Sequence, residues 1–243
     1  MLKVKYVKID IEEKKKDKLY IEAKSIIPKA FNLALGYKSE KVKIQTILSK
    51  LLVVKSLNCS EDDIYYGKLG KPYVKGKKFF NISHSGDYIV YVESDDEIGI
   101  DIERIERRNL SIIDHAFTEE ERSFIKGYSV KEDVVRDINN NSLAIMLNKE
   151  NIEERFTYLW TIKEALFKAS GTDVYIESSN IEIQNILKKI VNGVSEKDDS
   201  IMITESYEGK DYNICSIGFL EYVISIASIK MCQSIELSEY KLV

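Results

Sequence analysis

The sequence of 243 residues predicts an α+β protein made of two closely packed halves. Short runs such as "LKVKYVKID" alternate apolar and polar residues with the period of a β-strand. Other runs, including 39–57, repeat apolar residues at the spacing of one helix face. No low-complexity linker interrupts the chain, and a seam near 98–105 separates the two halves. We therefore predict an amino-terminal half at 1–100 and a carboxy-terminal half at 101–243.

The predicted elements follow this division in chain order. The opening strand and the helix at 39–57 precede three strand-like runs, "FFNI", "YIVYV" and "IGIDI". A second helix begins at Thr118, which is followed by acidic residues, and "EERFTYLWTIKEALFKASG" forms a third helix that ends at Gly171. The irregular, Asn-containing segment 127–154 is predicted to be an inserted loop. Four more strand-like runs complete the chain, "IEIQNI", "SIMITES", "YNICSIGF" and "YVISIAS".

Composition limits the classes of protein that this chain can belong to. It is 44% hydrophobic and 31% charged, with a net charge of −4, which is typical of a globular protein and argues against a dedicated nucleic-acid binder. The amino terminus lacks the apolar segment of a signal peptide, and no apolar run reaches the roughly 20 residues of a membrane span. Three widely spaced cysteines suit reduced thiols. We expect a cytoplasmic protein without nucleic-acid or membrane partners.

The strand-like run "IGIDIERI" carries two carboxylates on one face. Gly99, Asp101 and Glu103 alternate with isoleucines, so they share a side of the predicted strand. Residues two apart on a strand lie roughly 6–7 Å apart, which lets two carboxylates converge on one hard cation. An amphipathic strand with a solvated outer face would show the same pattern.

The third helix places Trp160, Glu164 and Lys168 in one row, four residues apart. A surface ion pair between Glu164 and Lys168 is the commoner explanation of this spacing. The only tryptophan of the chain lies in the same row, which favours a functional site, because tryptophan is usually buried or recruited to a site. Glu164 could then add a third carboxylate to Asp101 and Glu103.

Two neighbouring motifs, "GKP" at 70–72 and "FNISHSG" at 80–86, offer groups that bind anions. The first provides a turn and the cation of Lys71, and the second provides hydroxyl, imidazole and backbone N–H donors from Ser83, His84 and Ser85. The sequence places His84 in a tight turn between two serines. From these residues alone, His84 could be a packed core residue, a catalytic base or a contact for an anion.

The order "GKP", "FNISHSG", "IGIDIE", "FTEEE" and "WTIKEALFKASG" resembles the surfactin-synthetase type of 4′-phosphopantetheinyl transferase. The resemblance spans about 70–171. It implies a monomer of two similar α/β halves related by a pseudo-twofold axis, with coenzyme A bound between them. It also implies transfer of the phosphopantetheine arm of coenzyme A to a serine of an acyl or peptidyl carrier protein, with release of adenosine 3′,5′-bisphosphate.

The resemblance also implies roles for individual residues. Asp101 and Glu103 match magnesium ligands, and Glu164 matches a third acid that acts as ligand or base. Lys168 matches a contact to the pyrophosphate. Residues that match the coenzyme A site are Lys71, Pro72, Ser83, His84 and, in a loose alignment, Thr46. On this basis His84 is interpreted as an anion contact.

The expected chemistry is consistent with these roles. Magnesium, which manganese could replace, would lower the barrier to attack on a diphosphate, and Lys168 and His84 would stabilise the leaving group. Glu164 is the preferred base for the serine proton, with Glu121 as the second candidate. We expect the carrier to dock on 118–127 and the segment after Gly171.

Two alternatives of different classes stay open. A magnesium-dependent hydrolase would cut the same diphosphate with water, and a non-catalytic module would only bind coenzyme A or carrier proteins. The sequence does not identify the carrier or the pathway, and it does not show whether acylated coenzyme A is accepted.

Overall fold

The computed structural model describes a core of strands and helices in both halves of the chain. The described residues are 2–9, 12–67, 70–106, 112–127, 151–171, 200–207, 209–230 and 235–241. The predicted strand "IEIQNI", the segment after Gly171 and most of the predicted loop lie outside them. No described helix combines the length and apolar character that a membrane span requires.

The described residues form ten strands and six α-helices. The strands are β1 (Leu2–Lys8), β2 (Ile64–Tyr66), β3 (Pro72–Val74), β4 (Phe79–Ser85), β5 (Tyr88–Ser94), β6 (Ile98–Arg104), β7 (Ser200–Tyr207), β8 (Lys210–Phe219), β9 (Tyr222–Ser228) and β10 (Ile235–Glu239). The helices are α1 (Glu13–Ile26), α2 (Pro28–Leu35), α3 (Glu40–Leu57), α4 (Ile113–Ala116), α5 (Glu119–Ile125) and α6 (Ile152–Ser170). The α+β class predicted from the sequence is confirmed.

Two four-stranded sheets organise these elements. The first has the order β10-β1-β5-β4, and the second has the order β6-β9-β8-β7, while β2 and β3 form a separate hairpin. The predicted boundary between residues 100 and 101 falls within β6. Strand β10, which that boundary assigns to the second half, returns to pair in parallel with β1. The pseudo-twofold relation and the exact division into halves stay predictions.

Local sequence explains where the predicted helices α3 and α5 begin and where α6 ends. Ser39 caps α3, and Thr118 forms a capping box with Glu121 at the start of α5, as its sequence predicts. Helix α6 ends at Gly171, whose left-handed φ of 77° suits glycine. Helices α1 and α2, the β2–β3 hairpin and β10 were not predicted. Helix α1 is so rich in charged residues that a buried stripe is hard to recognise in its sequence.

The two sheets and the helices share three apolar clusters. Helices α1–α3 pack on one face of the first sheet, and α4–α6 pack on the second sheet. A third cluster joins the strands of the two sheets, with Ile98, Ile100 and Ile102 of β6 facing Val90 and Val92 of β5. This arrangement leaves Gly99, Asp101 and Glu103 on the other side of β6, as the alternation predicts.

Gly99 allows β6 to approach α6 through the backbone. A Cβ atom at this position would lie 2.1 Å from the carbonyl oxygen of Ala165 and 2.4 Å from the amide nitrogen of Ala169. These neighbours are backbone atoms, which cannot rotate away. Glycine at residue 99 therefore sets the distance between the strand and the helix.

A buried ion pair joins α5 to α6. The Nζ atom of Lys163 lies 2.7 Å from Oε2 of Glu121 and donates to the carbonyl oxygen of Ala116 at 2.8 Å. It also lies 4.4 Å from the centre of the Phe117 ring. Both charged side chains are almost completely inaccessible, at 1% and 0% exposed. Burial lowers the pKa of Lys163, and the Glu121 carboxylate opposes that change.

Replacing Gly99 with alanine should destabilise the protein by about 1–3 kcal/mol, because the added methyl group overlaps backbone atoms of α6. Urea unfolding of the purified variant measures this change. Gly218→Ala on β8 is the matched control, since its Cβ would meet Tyr158 at an ordinary 3.4 Å. Equal stability of the two variants would contradict the close backbone contact.

Replacing Lys163 with methionine should reduce the free energy of unfolding by about 3–5 kcal/mol, because Glu121 would stay buried without its cation. The double variant Lys163→Met/Glu121→Gln should recover part of this loss. The control is Lys41→Met, which breaks an exposed pair with Asp87 and should cost about 1 kcal/mol or less. A Lys163→Met loss as small as that of the control would contradict the buried-pair interpretation.

Candidate active site

A cavity of about 400 Å³ lies where β4, β6 and α6 meet. The residues that line it are Ile82, Ser83, His84, Asp101, Glu103, Ile112, Trp160, Glu164 and Lys168. Six of the residues predicted from the sequence are in this set. The structure thus brings together side chains from three separate motifs, and we describe this cavity as the acidic cavity.

Asp101 and Lys168 form the central contact of the acidic cavity. The Nζ atom of Lys168 lies 2.6 Å from Oδ1 of Asp101 and donates to the hydroxyl of Ser83 at 3.1 Å. The same hydroxyl donates to Oδ1 of Asp101 at 2.8 Å. Burial lowers the pKa of Lys168, but the carboxylates of Asp101, Glu164 and Glu103 together outweigh burial and raise that pKa above 10.5. Lys168 is therefore a cation at neutral pH.

Asp101 has one carboxylate oxygen in this contact and one that is buried without a hydrogen-bond partner, Oδ2. Burial raises the pKa of Asp101, and the Lys168 ammonium opposes that change. A buried carboxylate stays ionised only when a cation or several donors stabilise it. The second oxygen is therefore suited to an additional cation.

Glu164 and Trp160 form the helical wall of the acidic cavity. Oε2 of Glu164 lies 3.9 Å from Nζ of Lys168, so the predicted ion pair is present, but the two atoms are too far apart for a hydrogen bond. Trp160 is only 7% exposed and stacks on Phe156, with ring centres 5.9 Å apart. The tryptophan is thus buried next to the charged groups, as its position in the row indicated.

Glu103 is held from the neighbouring strand. The hydroxyl of Ser85 donates to Oε2 of Glu103 at 2.8 Å and accepts from the backbone N–H of Arg104 at 3.1 Å. Sequence reasoning counted Ser85 among the donors to a bound anion and missed its contact with Glu103, although Asn81, Ser83 and Ser85 are two residues apart and therefore share one face of a strand.

His84 lies in β4 rather than in a turn, so its predicted local conformation was wrong. The strand continues to Ser85, and the turn follows at Gly86, whose φ is 55°. Cross-strand pairing with Ile89 keeps the backbone of His84 extended. Partial burial and then the nearby Lys168 ammonium lower the pKa of His84 below its usual 6.5. At neutral pH the imidazole can donate one hydrogen bond, but it carries little positive charge.

Lys71 and Pro72 line a second cavity, of about 440 Å³, which the carboxyl end of α6 also lines through Ala169 and Ser170. The Lys71 ammonium donates to the carbonyl oxygens of Lys168, Ala169 and Ile98, the last two at 3.3 and 3.2 Å. Burial lowers the pKa of Lys71 to about 8. The structure thus gives Lys71 a contact with the end of α6 that its motif did not predict.

Two predicted residues lie away from both cavities. Thr46 is on α3, where its hydroxyl donates to the carbonyl oxygen of Val42 at 2.8 Å. Glu121 is fully buried against Lys163 and caps α5 through the N–H of Thr118. This placement argues against Glu121 as the second candidate base, because a base must reach the reacting group.

The donor set of the acidic cavity fits a hard cation, although the side chains are not arranged around one. Asp101, Glu103 and Glu164 offer carboxylate oxygens, which magnesium prefers. In the described part of the chain, no three His, Cys, Asp or Glu side chains are grouped closely enough to hold a metal ion. Lys168 instead occupies the position next to Asp101.

Comparisons with known proteins agree with this cavity and its motifs. A family model described as the 4′-phosphopantetheinyl transferase superfamily matches residues 97–216, which include β6 and α6. The 4′-phosphopantetheinyl transferase gsp of Aneurinibacillus migulanus is 29% identical over 189 residues, covering 74% of this chain and 72% of that protein.

Two further relatives match shorter parts of the chain. The 4′-phosphopantetheinyl transferase psf-1 of Bacillus pumilus is 32% identical over 107 residues, which cover 43% of this chain and 38% of that protein. The L-aminoadipate-semialdehyde dehydrogenase-phosphopantetheinyl transferase of Xenopus laevis is 29% identical over 124 residues, which cover 47% and 37%. These matches and the ordered motifs around the acidic cavity show that the chain belongs to the 4′-phosphopantetheinyl transferase superfamily, as a member of its surfactin-synthetase type.

Proposed function

We propose that this protein transfers the 4′-phosphopantetheine arm of coenzyme A to a serine of an acyl or peptidyl carrier protein. The observation that carries the proposal is the acidic cavity, where Asp101, Glu103, Glu164 and Lys168 converge. A nucleotide hydrolase could use similar groups, but the names of the relatives favour transfer to an acceptor. The monomeric state and the cytoplasmic location stay predictions from the sequence.

The reaction exchanges a phosphoanhydride bond of coenzyme A for a phosphodiester bond to the carrier serine. The oxygen of the carrier serine would attack the phosphorus atom that bears the pantetheine arm, and the bond to the bridging oxygen of the diphosphate would break. Adenosine 3′,5′-bisphosphate would leave with that oxygen, and the serine proton would pass to a base. The protein must therefore accept one proton and stabilise negative charge on the leaving group.

Lys168 and Glu164 are suited to these two tasks. Lys168 stays protonated because Asp101 raises its pKa, so it can contact the charged diphosphate. Glu164 is partly exposed on the cavity wall, where a serine hydroxyl or a water molecule can reach it. His84 lines the same cavity and can donate an N–H to a phosphate oxygen without adding a full charge.

Asp101, Glu103 and Glu164 would hold a magnesium ion, or manganese in its place. When bound, the ion would neutralise phosphate oxygens and make the phosphorus atom easier to attack. The buried Oδ2 of Asp101, which has no hydrogen-bond partner, supports this assignment.

The choice of carrier protein depends on a docking surface and not on the acidic cavity. The expected docking surface includes α5, but it also includes residues after Gly171 that are not described. Lys71 and Pro72, which line the neighbouring cavity, are proposed to lie near the nucleotide part of coenzyme A.

Intact-mass spectrometry of a panel of apo carrier proteins, incubated with coenzyme A and magnesium, tests the proposed function. We expect at least one carrier to gain the mass of one phosphopantetheine, and we expect EDTA or Asp101→Ala to abolish the gain. Asp211→Ala, an exposed aspartate on β8, is the matched control. Cleavage of coenzyme A without any gain would favour the hydrolase, and binding without cleavage would favour the binding module.

Glu164→Gln should lower kcat by about 10²–10⁴-fold if Glu164 is the base, because the amide cannot accept the serine proton. Glu153→Gln in the first turn of α6 is the control, since it removes a carboxylate from the same helix away from the cavity. If excess magnesium restored the rate of Glu164→Gln, Glu164 would be a metal ligand and not the base.

A further inference from the structure

Strand β4 directs three polar side chains toward β6. Asn81, Ser83 and Ser85 are two residues apart along β4 and share one of its faces, and Asn81 and Ser83 are only 4% and 7% exposed. Strand β6 is the edge strand of the second sheet and pairs with β9 alone among the described strands. The other edge of β6 is therefore available to groups from the first sheet.

Each of the three side chains makes a hydrogen bond to β6. Oδ1 of Asn81 accepts from the N–H of Ile100 at 2.8 Å. Ser83 donates to Asp101, and Ser85 donates to Glu103 and accepts from the N–H of Arg104. The partners are always 18 or 19 residues apart, so the two strands run in the same direction in one register. Between β4 and β6, these side-chain hydrogen bonds take the place of the backbone hydrogen bonds that join neighbouring strands of an ordinary sheet.

The chemistry of the hydroxyl fixes the direction of the bond from Ser85 to Glu103. The N–H of Arg104 can only donate, so it occupies a lone pair of Ser85 Oγ. The single proton of Ser85 is then directed at the Glu103 carboxylate, which must accept it. Ser85 thus fixes one oxygen of Glu103 relative to the backbone of β6, and a long, flexible side chain loses much of its freedom.

We propose that Ser85 is a positioning residue that orients Glu103 beside Asp101 for a divalent cation, within a register that Asn81 sets. Ser85 does not line the acidic cavity, so it acts through Glu103 and not on the reactants. The inference rests on the metal-binding role given to Asp101 and Glu103 in the proposed function. Ser85 lies outside the acidic cavity, and its replacement should weaken metal binding more than it lowers kcat.

Binding of Mn²⁺ to the protein alone, followed by the electron paramagnetic resonance signal of the free ion, tests this role without using activity. Partners that orient metal ligands typically change affinity by about 10–100-fold, and we expect Ser85→Ala to raise the dissociation constant by that factor. Ser85→Thr keeps the hydroxyl and should restore tight binding. Ser85→Cys keeps the volume but offers only a weak donor, so it should stay impaired if the hydrogen bond is what matters.

Activity measurements separate positioning from general damage. In Ser85→Ala the magnesium concentration for half-maximal activity should rise by the same factor, while kcat should recover as magnesium is raised and the KM for coenzyme A should not change. Ser238→Ala is the matched control, because it removes a hydroxyl from β10 at the opposite edge of the same sheet. Thermal unfolding of each variant confirms that the compared proteins are folded.

The outcomes distinguish this inference from the proposed function. Equal Mn²⁺ affinity of Ser85→Ala and the parent, or an equal loss in Ser238→Ala, would overturn the positioning role even if the parent modifies a carrier. A parent that binds no Mn²⁺ would overturn it too. A parent whose Mn²⁺ affinity depends on Ser85, but which modifies no carrier and leaves coenzyme A intact, would support the positioning role and overturn the transferase.

Discussion

The backbone contact between β6 and α6 at Gly99 is the constraint on which the candidate site depends. Strand and helix are close enough that a single Cβ would overlap the carbonyl oxygen of Ala165. Because the two backbones touch, Oδ1 of Asp101 lies 2.6 Å from Nζ of Lys168, although the two residues are 67 positions apart in the sequence. The same contact brings Glu103 and Glu164 to one cavity. A larger residue at position 99 would separate the charges that the proposed reaction needs.

Charge balance is the second consequence of this proximity. Three carboxylates face one cavity, and burial raises the pKa of the most buried of them, Asp101. Lys168 supplies one positive charge, and its raised pKa reflects that role. One ammonium cannot neutralise three ionised carboxylates, so the remaining negative charge is compatible with the proposed binding of a further cation. The three carboxylates can therefore lie close together because the Lys168 ammonium contacts Asp101, the most buried of them.

The sequence predicted the parts of this site that depend on local periodicity. The alternation in "IGIDIE" predicted which side of β6 carries Asp101 and Glu103, and the helical row predicted that Trp160, Glu164 and Lys168 share a wall. It could not predict that Lys71 contacts carbonyl oxygens at the end of α6, or that Glu121 is buried against Lys163. Those contacts join residues distant in sequence, and an isolated lysine or glutamate shows no pattern that distinguishes a buried pair from a solvated one.

The rigidity of α6 links these unpredicted contacts to function. The carbonyl oxygens at its carboxyl end accept hydrogen bonds from Lys71. Lys163, in its middle, forms the buried ion pair with Glu121 of α5. Glu164 and Lys168 therefore project from a helix that can neither rotate nor slide without breaking a buried polar contact. Catalytic groups on such an element keep their geometry at little entropic cost when a substrate binds. A rigid cavity of this kind suits the constant part of the proposed reaction, the diphosphate, and would leave selection of the carrier to surfaces outside the cavity.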